Sequence, residues 1–572
     1  MVLRSGRFKL RILATAGIIA LVILTFHNIE TLSSYSSSQY DSLRAGWKDY
    51  MRIAESIESP LSTEDLRSRH LYWSSVFELF SQNQLNITGY DNGDIIRYID
   101  KSQQKGGPNS KDTLLSKAFV SDEVTEEFKG KHMSLIKALP HKSFSKTYKK
   151  NSRGIVMVGG GRFSWLSYLS IRTLRNTGSK LPVEVMIPKF EDFEKEIEFC
   201  TTILPKVNAR CLIMPQILGL SVMRDWSPKL SSYQLKALAL MTSSFQHVLL
   251  LDSDNVVISD PDAVFDSDLY RKNGMITWPD YWERTISPVY YKIAGIRVDE
   301  KRRVRYNRLP LRVDPGANIG PDEAESVPYH DLDGAVPNLS TESGQMFVNK
   351  GSHGKTLLLS LYYNVFGPNL YYKLFSLGEQ GEGDKDTFVS AATAVGESYY
   401  QVKSFIKTLG YFDSNNKFQG VAMGQKNPML DAALFDKYFS QKAPLPKELH
   451  KQIENIEKLI KSDFDAHNEI PVMFLHCNYP KWDPTDLQER EEIYDNKANR
   501  LQYRLYNGYK YEKVGHLKGM KSITETDFEF DQWQLVQQIL CAEKLHFTHF
   551  QDKDMALICK FIGNQVNWLR EP

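Results

Sequence analysis

Two aspartates separated by a single residue stand in the stretch His247–Phe265 and could act together on one ligand. The apolar run Val248–Leu251 is typical of a strand buried on both faces of a parallel sheet, and Asp252-Ser253-Asp254 follows it directly. Because residues two apart in an extended backbone point to the same side, Asp252 and Asp254 can converge. A divalent cation bridging to a diphosphate would neutralise both carboxylates, and Mg²⁺ and Mn²⁺ prefer such oxygen ligands. The alternative is an acidic turn that closes the strand.

The pattern around this motif predicts the α/β fold class, because strands and helices alternate along the chain. The alternation implies βαβ units and a mostly parallel central sheet, so both aspartates would face the crevice at the carboxyl ends of its strands. The predicted strands are Ile155–Val158, Val183–Ile187, Cys211–Met214, Val248–Leu251, Gly274–Trp278 and Val472–Leu475. The predicted helices include Ser62–Phe80, Glu123–Ala138, Ser231–Phe245, Lys355–Phe366 and Thr387–Val395.

A glycine-rich loop follows the first predicted strand of this series. Gly159, Gly160 and Gly161 suggest a dinucleotide-binding loop. The Gly-x-Gly-x-x-Gly fingerprint of such loops, however, requires a glycine where Ser164 stands. Two interpretations stay open: backbone lying close to a nucleotide, with Arg162 beside it, or a tight strand-to-helix turn.

The amino terminus has the pattern of a membrane anchor. Four basic residues precede the apolar run Ile12–Phe26, which extends to Ile29 and approaches the ~17 residues that cross a thin bilayer. The positive-inside rule then places residues 1–11 in the cytosol, an anchor at 12–29 and the remainder in a lumen. A cleavable signal peptide is the competitor, but no clean Ala-x-Ala site follows Phe26.

Composition narrows the class of protein. The chain has 572 residues and a formal net charge of +2, so one large domain with appendages is expected and nucleic acid is not implied as a partner. Asn86 and Asn338 stand in glycosylation sequons. In an oxidising lumen the close cysteine pairs 200/211 and 541/559 could form disulfides and leave Cys477 free; the alternative is five buried small apolar residues.

Five segments between Gly154 and Pro484 together carry a family resemblance. They are GIVMVGGGRFSWLSYLSIRTLR, SSYQLKALALMTSSFQHVLLLDSDNVVISDP, STESGQMFVNK, GEGDKDTF and FLHCNYPKWDP. In this order they resemble the fungal Golgi α-1,2-mannosyltransferases that branch cell-wall mannan, type II membrane enzymes with a GT-A fold. A neighbouring α-1,3 subfamily shares much of the pattern.

The resemblance implies a function and its partners. These are a GDP-mannose donor, Mn²⁺ or Mg²⁺ as cofactor, and an α-1,6-mannan backbone on N-linked glycans as acceptor. Because donor and product are both α-linked, transfer would proceed with retention. The resemblance also implies a Golgi membrane location with the catalytic domain in the lumen, and a complex with other mannosyltransferases as a further partner.

The resemblance assigns the metal ligands residue by residue. Asp252 and Asp254 match the family's Asp-x-Asp motif, and His476 stands where many retaining GT-A enzymes place a third ligand. Neutral imidazole suits Mn²⁺, although a histidine at a strand end is commonly structural. Because Val472–Leu475 is apolar throughout, we expect it to be central in the sheet and to end at the crevice of Asp254. Lys481 would place positive charge opposite the departing diphosphate.

Other polar residues in the matching segments are candidates with plain alternatives. Lys236 would contact nucleotide or sugar, or it is a surface lysine. Asp384 and Asp386 begin a helix, where carboxylates are common caps. Either could instead orient the acceptor or stabilise oxocarbenium charge. Of the two, Asp386 is the preferred catalytic candidate. Glu342 and Gln345 would hold sugar hydroxyls. The resulting catalytic candidates are Asp386, Asp384 and Glu342, and the donor-binding candidates are Gly159, Gly160, Arg162, Lys236, Gln345 and Lys481.

Two rival functions are weighed against this one. A haloacid-dehalogenase-type phosphatase also begins with strand–Asp-x-Asp, but its late acidic pair fails here because Phe388 stands four residues after Asp384. A mannan-binding homologue without activity is the non-enzyme alternative. The expected organisation is a stem and helical lead-in at 30–150, the catalytic domain at 151–484 and a mixed helical extension at 485–572.

Overall fold

A computed structural model describes residues 63–85, 95–140, 146–314, 316, 318–320, 323, 325–440, 446–517 and 520–571. The expected cytosolic tail, the anchor at 12–29, the first stem residues and the sequon at Asn86 lie outside these residues. Within the described ranges, no helix combines the length and hydropathy of a membrane span.

The helices are numbered in chain order. They are α1 Thr63–Gln82, α2 Lys111–Leu115, α3 Asp122–Ala138, α4 Arg162–Asn176, α5 Phe190–Lys195, α6 Met214–Leu218, α7 Leu220–Trp226, α8 Gln234–Thr242, α9 Asp268–Asn273, α10 Pro288–Ala294, α11 Gly354–Val365, α12 Tyr372–Ser376, α13 Thr387–Val395, α14 Pro428–Phe439, α15 Leu449–Ser462, α16 Pro484–Gln488, α17 Phe528–Gln537 and α18 Met555–Arg570.

The strands are numbered in the same way. They are β1 Arg97–Tyr98, β2 Ala118–Phe119, β3 Lys149–Val158, β4 Val183–Ile187, β5 Ala209–Ile213, β6 Phe245–Leu251, β7 Asn255–Val257, β8 Met275–Pro279, β9 Asp299–Arg303, β10 Arg305–Tyr306, β11 Leu309–Pro310, β12 Leu332–Asp333, β13 Thr341–Asn349, β14 Tyr400–Gln401, β15 Lys407–Phe412, β16 Phe418–Lys426, β17 Val472–His476, β18 Tyr494–Asp495, β19 Arg500–Leu501, β20 Lys510–Leu517 and β21 Met520–Asp527.

The central sheet has seven strands in the order β14-β8-β13-β6-β3-β4-β5. Four of its six pairings are parallel, and β13 runs antiparallel to both β6 and β8. The predicted α/β class is therefore confirmed, but the central sheet is mixed, because it contains one reversed strand that the sequence pattern did not reveal. Successive residues of β6 pack into different cores: Val248 and Leu250 on one face, Leu249 and Leu251 on the other. This is the two-sided burial that an uninterrupted apolar strand predicts.

A second sheet of four antiparallel strands has the order β15-β16-β17-β7. The prediction that Val472–Leu475 is a central strand of the parallel sheet is wrong, because β17 lies between β16 and β7 in this second sheet. All five residues of β17 are nevertheless buried, so its apolar composition reflects cover on both faces rather than membership of the larger sheet. The acidic motif connects the two sheets, since β6 belongs to the first and β7 to the second.

The expected domain boundaries at residues 150 and 485 do not divide the protein into separate hydrophobic cores. On α1, the side chains of Trp73, Phe77 and Phe80 are fully buried in the same cluster as Val248 and Leu250 of the central sheet. At the other end, the helices α17 and α18 contribute to the cluster on the opposite face of that sheet. The lead-in and the carboxyl-terminal extension are thus integral layers of one fold.

The cysteines confirm the predicted pairing. Cys200 is bonded to Cys211 and Cys541 to Cys559, while Cys477 is a free and buried thiol. The second disulfide joins the segment after α17 to α18, so it holds the last helix of the chain to its neighbour.

Candidate active site

The acidic motif forms a tight turn at the junction of the two sheets. The backbone N–H of Asp252 donates to the carbonyl of Gly344 on β13 over 2.8 Å. The N–H of Asn255 donates back to the carbonyl of Asp252 over 3.0 Å, so the chain reverses at once into β7. The side chain of Asn255 is fully buried and donates to Gly344 and Gln345. The turn between the two aspartates is therefore anchored on β13.

His476 lies beside the two aspartates because β17 pairs with β7. The register places His476 opposite Asn255, one residue after Asp254. Its Nε2 atom is 3.3 Å from Oδ1 of Asp254 and 3.8 Å from Oδ2 of Asp252. One ligand atom from each of these three residues lies within 4.8 Å of the others. A strand from the second sheet therefore brings the histidine to the aspartates, although the expected route was through the first sheet.

Glu342 holds the other nitrogen of the same imidazole. Its Oε1 atom is 3.0 Å from Nδ1 of His476. The carboxylate also accepts the N–H of Gly344 over 2.5 Å and the amide of Gln345 over 2.6 Å. With Nδ1–H donated to Glu342, Nε2 is directed at the aspartates, which is the arrangement of a carboxylate behind a metal-binding histidine. The structure thus gives Glu342 a positioning contact, whereas the sequence suggested contact with sugar hydroxyls.

Gly344 is the residue on which this contact depends. A Cβ atom at this position would lie 2.7 Å from both Oε1 of Glu342 and Nδ1 of His476. Such distances are below any normal carbon contact, so a larger side chain would push the carboxylate and imidazole apart. The matched segment STESGQMFVNK carries this glycine, but no local pattern indicates its role.

Two lysines neutralise the aspartates from opposite sides. Nζ of Lys236 is 3.1 Å from Oδ2 of Asp252 and 3.3 Å from Oδ1 of Asp384. Lys481 pairs with Oδ2 of Asp254. Burial opposes the charged form of Lys236, but Asp252, Asp384 and Glu342 outweigh it and raise the pKa of the lysine. Lys236 is therefore a charged member of the cluster, and the interpretation as a surface lysine is wrong.

The charges of the cluster act on one another. Burial, with repulsion from neighbouring carboxylates, raises the pKa of Asp252. Burial also disfavours the charged form of Asp254, but His476 and Lys481 outweigh it and lower its pKa. In the same way burial opposes the imidazolium, yet Glu342 and Asp254 hold the pKa of His476 well above its ordinary value. The neighbouring carboxylates thus keep His476 protonated when no other cation is bound.

The donor set fits a divalent metal ion. Two carboxylates and one imidazole, all buried or half-buried and converging, suit Mn²⁺ or Mg²⁺ with positions left for other oxygen ligands. A cation at this point would replace the proton on Nε2 of His476 in neutralising Asp252 and Asp254. Metal affinity would consequently weaken as the pH falls.

Asp384 and Asp386 have separate environments although they are two residues apart. Asp384 faces the cluster: its Oδ1 atom accepts from Ser343 over 3.1 Å and pairs with Lys236, and burial raises its pKa to about 6. Its Oδ2 atom is buried and has no hydrogen-bond partner among the described residues. The position of Asp384 beside Lys236 makes it the stronger catalytic candidate of the two.

Asp386, the preferred candidate from sequence, is held in a structural ion pair. Its Oδ1 atom accepts from Nη1 of Arg284 over 2.5 Å and from the N–H of Thr341 over 2.8 Å. Arg284 is fully buried, and its other nitrogens donate to the carbonyls of Pro337 and Leu339. The geometry therefore favours Asp384 over Asp386, because the carboxylate of Asp386 pairs with a buried guanidinium.

The glycine loop borders the cluster, but its amides are occupied. The N–H of Gly160 donates to Ser164 over 2.9 Å and that of Gly161 to Glu196 over 2.8 Å. At Gly159 a Cβ atom would lie 2.5 Å from Val185 on the neighbouring strand. The loop is thus a close-packed strand-to-helix turn whose surface, rather than its N–H groups, faces the cavity beside it.

Arg162 points away from the two lysines and into a carboxylate pair. Its Nε atom is 3.1 Å from Oδ2 of Asp483, and Nη2 is 3.4 Å from Oδ2 of Asp486. Both partners lie at the start of α16. The guanidinium therefore ties α4 to α16, and the expectation that it contacts a donor finds no support in this geometry.

A cavity of about 530 Å³ opens beside the cluster. The glycine loop forms one wall, Tyr233 and Lys236 another, and the carboxylates of Asp252 and Asp254 lie at its floor with Lys481. The rings of Tyr233 and Phe163 line it while remaining half exposed. Such a space, with aromatic walls and a cationic and carboxylate floor, is of the size that binds a small ligand. The two aromatic residues were missed because single exposed rings carry no sequence signal.

The sequon residue Asn338 is largely buried. The residue is 6% exposed, and its Oδ1 atom accepts the N–H of Arg284 over 2.6 Å. Glycosylation at this sequon stays a prediction.

Comparison with known proteins gives consistent findings. The family model described as "Mannosyltransferase putative" matches residues 152–427. The Alpha-1,2-mannosyltransferase MNN23 of Candida albicans is 51% identical over 524 residues, 89% of this chain and 86% of that protein. The Alpha-1,2-mannosyltransferase MNN22 of the same organism is 44% identical over 557 residues, 94% of this chain and 91% of that one. The Alpha-1,2-mannosyltransferase MNN2 of Saccharomyces cerevisiae is 38% identical over 442 residues, 74% and 70% of the two chains.

Similarity to solved structures is weaker. The glycosyltransferase GlyE of Streptococcus pneumoniae aligns over 44% of this chain and 45% of its own at 12% identity, with a TM-score of 0.26. The galactosyltransferase LgtC in complex with donor and acceptor sugar analogues aligns over 44% of this chain and 73% of its own at 9% identity, with a TM-score of 0.23. Scores in this range do not carry a conclusion about fold or activity.

Proposed function

The chain belongs to the α-1,2-mannosyltransferase family, and we propose that it transfers mannose from GDP-mannose, with retention, to the α-1,6-linked mannan backbone of N-linked glycans. The observation that carries the proposal is the convergence of Asp252, Asp254 and His476, of which the two aspartates also line a ligand-sized cavity. The names of the relatives support mannosyl transfer and favour it over the phosphatase alternative.

The cluster supports a metal-dependent reaction. Asp252, Asp254 and Nε2 of His476 would hold Mn²⁺ or Mg²⁺, which supplies positive charge to the diphosphate of the donor when bound. Glu342 orients the imidazole by accepting its Nδ1–H and so keeps Nε2 directed at the aspartates. Orientation by a buried carboxylate lowers the cost of assembling the ligand set when the donor arrives.

The lysines would act on the two ends of the donor. Lys481 lies on the Asp254 side of the cavity, where its ammonium can stabilise the negative charge that builds up on the departing diphosphate. Lys236 bridges Asp252 and Asp384, so its ammonium holds the second carboxylate at the edge of the metal cluster.

Asp384 is the carboxylate that we assign to the acceptor side. One of its oxygens is fixed by Ser343 and Lys236, and the other is buried without a partner in the described part of the chain. A buried polar atom without a partner is costly, and a hydroxyl of a bound sugar would satisfy it. The carboxylate could then orient that hydroxyl or stabilise oxocarbenium charge.

The location is proposed together with the activity. The basic flank and apolar run at residues 1–29 suit a type II Golgi anchor, and the two disulfides suit an oxidising lumen. Protease added to intact microsomes should remove a short cytosolic tail and leave the remainder protected. Digestion of the large domain, or a mature protein that begins after the apolar run, would contradict this location.

Identification of the product tests the activity. The full-length chain in detergent is incubated with GDP-mannose, Mn²⁺ and α-1,6-mannan oligomers, and the new linkage is determined by NMR. We expect α-1,2-linked mannose with the α configuration retained. An α-1,3 linkage would favour the neighbouring subfamily, and equal transfer from a UDP-sugar in a donor panel would contradict the choice of GDP-mannose.

A further inference from the structure

A second cavity of about 530 Å³ lies at the far end of the strands that carry the candidate active site. Val257 of β7 and Val472 of β17 line it, whereas Asn255 and His476 stand at the opposite ends of the same strands. Four residues of extended chain separate Val472 from His476, which is ~13 Å. We call this space the distal cavity; none of its lining residues has a part in the reaction proposed above.

Three polar side chains that line the distal cavity each have one buried atom without a hydrogen-bond partner among the described residues. Gln532 is 1% exposed and its Oε1 atom has no hydrogen-bond partner among the described residues. The same holds for Oγ of Ser259 and Oδ1 of Asn468, which also line the cavity. Rotation about the terminal torsion of Gln532 or Ser259 would turn these groups to a ligand. Because unsatisfied buried polar atoms cost free energy, three of them around one space indicate a hydrogen-bonding ligand.

The charges around the distal cavity balance. Its four lysines, Lys407, Lys426, Lys510 and Lys513, are matched by four carboxylates. The lysines are also engaged: Lys426 donates to two backbone carbonyls, Lys510 and Lys513 pair with carboxylates, and Lys407 lies over a tyrosine ring. A phosphate or another anion would find no concentrated positive field here. The lining therefore suits a neutral ligand rich in hydroxyl groups.

Two aromatic residues complete the lining. Tyr509 and Tyr511 stand on the β20 side of the distal cavity, and the hydroxyl of Tyr511 is already bonded to Asp531 over 2.6 Å. With that hydroxyl occupied, the ring offers mainly apolar surface. Apolar aromatic surface beside a few polar groups is the composition of sites that bind a small organic ligand, and the C–H face of a sugar ring packs on such surface.

We propose that the distal cavity binds a neutral sugar segment of the glycan acceptor, remote from the hydroxyl that receives mannose. The identity of the glycan as α-mannan rests on the proposed function; the cavity's preference for a neutral polyhydroxylated ligand does not. A chain of several sugars held at two points would bind more tightly than a single residue at the transfer site, because the second contact is intramolecular.

The test removes the unpartnered atoms without removing volume. In the full-length chain, Ser259→Ala and Gln532→Met are combined, and Ser462→Ala with Gln551→Met on the exposed surface is the matched control. Binding of α-1,6-mannan oligomers without donor is measured by calorimetry. Transfer is measured with the same oligomers and with methyl α-mannoside, which is too short to reach both sites.

We expect the double variant to raise KM for the long acceptor roughly five- to thirtyfold, as the loss of two hydrogen bonds implies, with kcat unchanged. KM for methyl α-mannoside should not change, and oligomer binding should weaken by the same factor. The melting temperature should stay level or rise, because replacing buried polar groups that lack partners with apolar ones is neutral or stabilising. The control variant should match the wild type in each measurement.

Failure of this proposal and failure of the proposed function give different results. If wild-type protein transfers mannose and the double variant keeps normal KM and binding for the long acceptor, the distal cavity holds only water and the proposal is overturned. If wild-type protein transfers nothing, the proposed function fails, and oligomer binding that depends on Ser259 and Gln532 would still support the cavity proposal. A lower melting temperature together with equal loss of both acceptors would mean a structural role and overturns it.

Discussion

At the scale of single residues, His476 is the centre of the candidate site. Its two nitrogens join Glu342 on one side to Asp252 and Asp254 on the other. Neighbouring acidic residues thus have different contacts: Asp252 and Asp254 converge on Nε2 of His476, Glu342 holds Nδ1, and Asp384 pairs with Lys236. Residue type alone could not have separated these contacts, since all four are carboxylates at the ends of strands or helices.

The histidine is expected to act on metal affinity. His476→Ala removes one of three protein ligands, so the Mn²⁺ concentration for half-maximal transfer should rise at least about tenfold, while KM for the acceptor changes less. The exposed His467→Ala is the control. A manganese requirement unchanged from the wild type would remove His476 from the ligand set and leave the assignment of the aspartates standing.

Asp386 is expected to act on stability. Asp386→Asn leaves the buried Arg284 without its counter-charge, so the free energy of unfolding should fall by about 3 kcal/mol or more. Asp268→Asn breaks an exposed ion pair with Arg271 and should cost less than about 1 kcal/mol. Both are measured by urea unfolding. Normal stability combined with lost transfer would instead return Asp386 to the catalytic candidates.

At the scale of elements, helix α17 begins with a carboxylate in an unfavourable place. Glu529 is buried, one oxygen accepts the N–H of Tyr506 over 3.0 Å, and the other has no partner among the described residues. Burial raises the pKa of Glu529 from its ordinary 4.5 to about 8. The folded protein therefore keeps a proton that the unfolded chain releases, and stability from this group is lost as the pH rises through that window.

Glu529→Gln should consequently flatten the pH dependence of stability. Wild-type protein is expected to lose stability between pH 5 and about pH 8, and the glutamine variant to lose less, because it carries no charge to bury. Urea unfolding at several pH values in this window checks it. Parallel curves for the two proteins would show that Glu529 does not titrate differently in the folded and unfolded states.

Sequence periodicity predicted the bounds of strands and helices better than it predicted which elements lie next to one another. The strand Val183–Ile187 and the helix Thr387–Val395 have the predicted bounds, because apolar spacing and turn residues are local signals. The reversed β13 and the transfer of β17 to the second sheet were missed, since two-sided burial does not say which strands provide the cover. The preference for Asp386 has the same cause. Its partner Arg284 is 102 residues away in the sequence, and no local pattern near either residue indicates the ion pair.

At the scale of the whole molecule, the described helices before residue 140 share a core with the central sheet. Helices α1 and α3 bury Trp73, Phe77, Phe80 and Phe128 in the core beneath the central sheet. The sequence pattern predicts a stem with a helical lead-in for this segment, outside the catalytic domain at 151–484. The apolar faces of α1 and α3 instead pack into the same core as the central sheet.

Two truncated proteins test whether the helices of the lead-in are part of the core or of a stem outside it. Removal of residues 1–62 should leave a soluble protein with a single unfolding transition, because every deleted residue precedes α1. Removal of residues 1–150 uncovers the core that α1 and α3 protect, so that product should aggregate or lose its cooperative transition. Soluble yield and calorimetry provide the measurement. Equal stability of the two truncated chains would mean that the lead-in packs only loosely.

The central claim is that Asp252, Asp254 and His476 hold a divalent cation that mannosyl transfer requires. The most direct measurement is the rate of transfer from GDP-mannose to α-1,6-mannan oligomers as Mn²⁺ is added back to chelator-treated protein, for the wild type, Asp254→Asn and the exposed control Asp268→Asn. We expect no transfer without metal, saturable recovery in the wild type and the control, and no recovery in Asp254→Asn with its fold intact. Full transfer by chelator-treated wild-type protein, or a normal manganese response in Asp254→Asn, would contradict it.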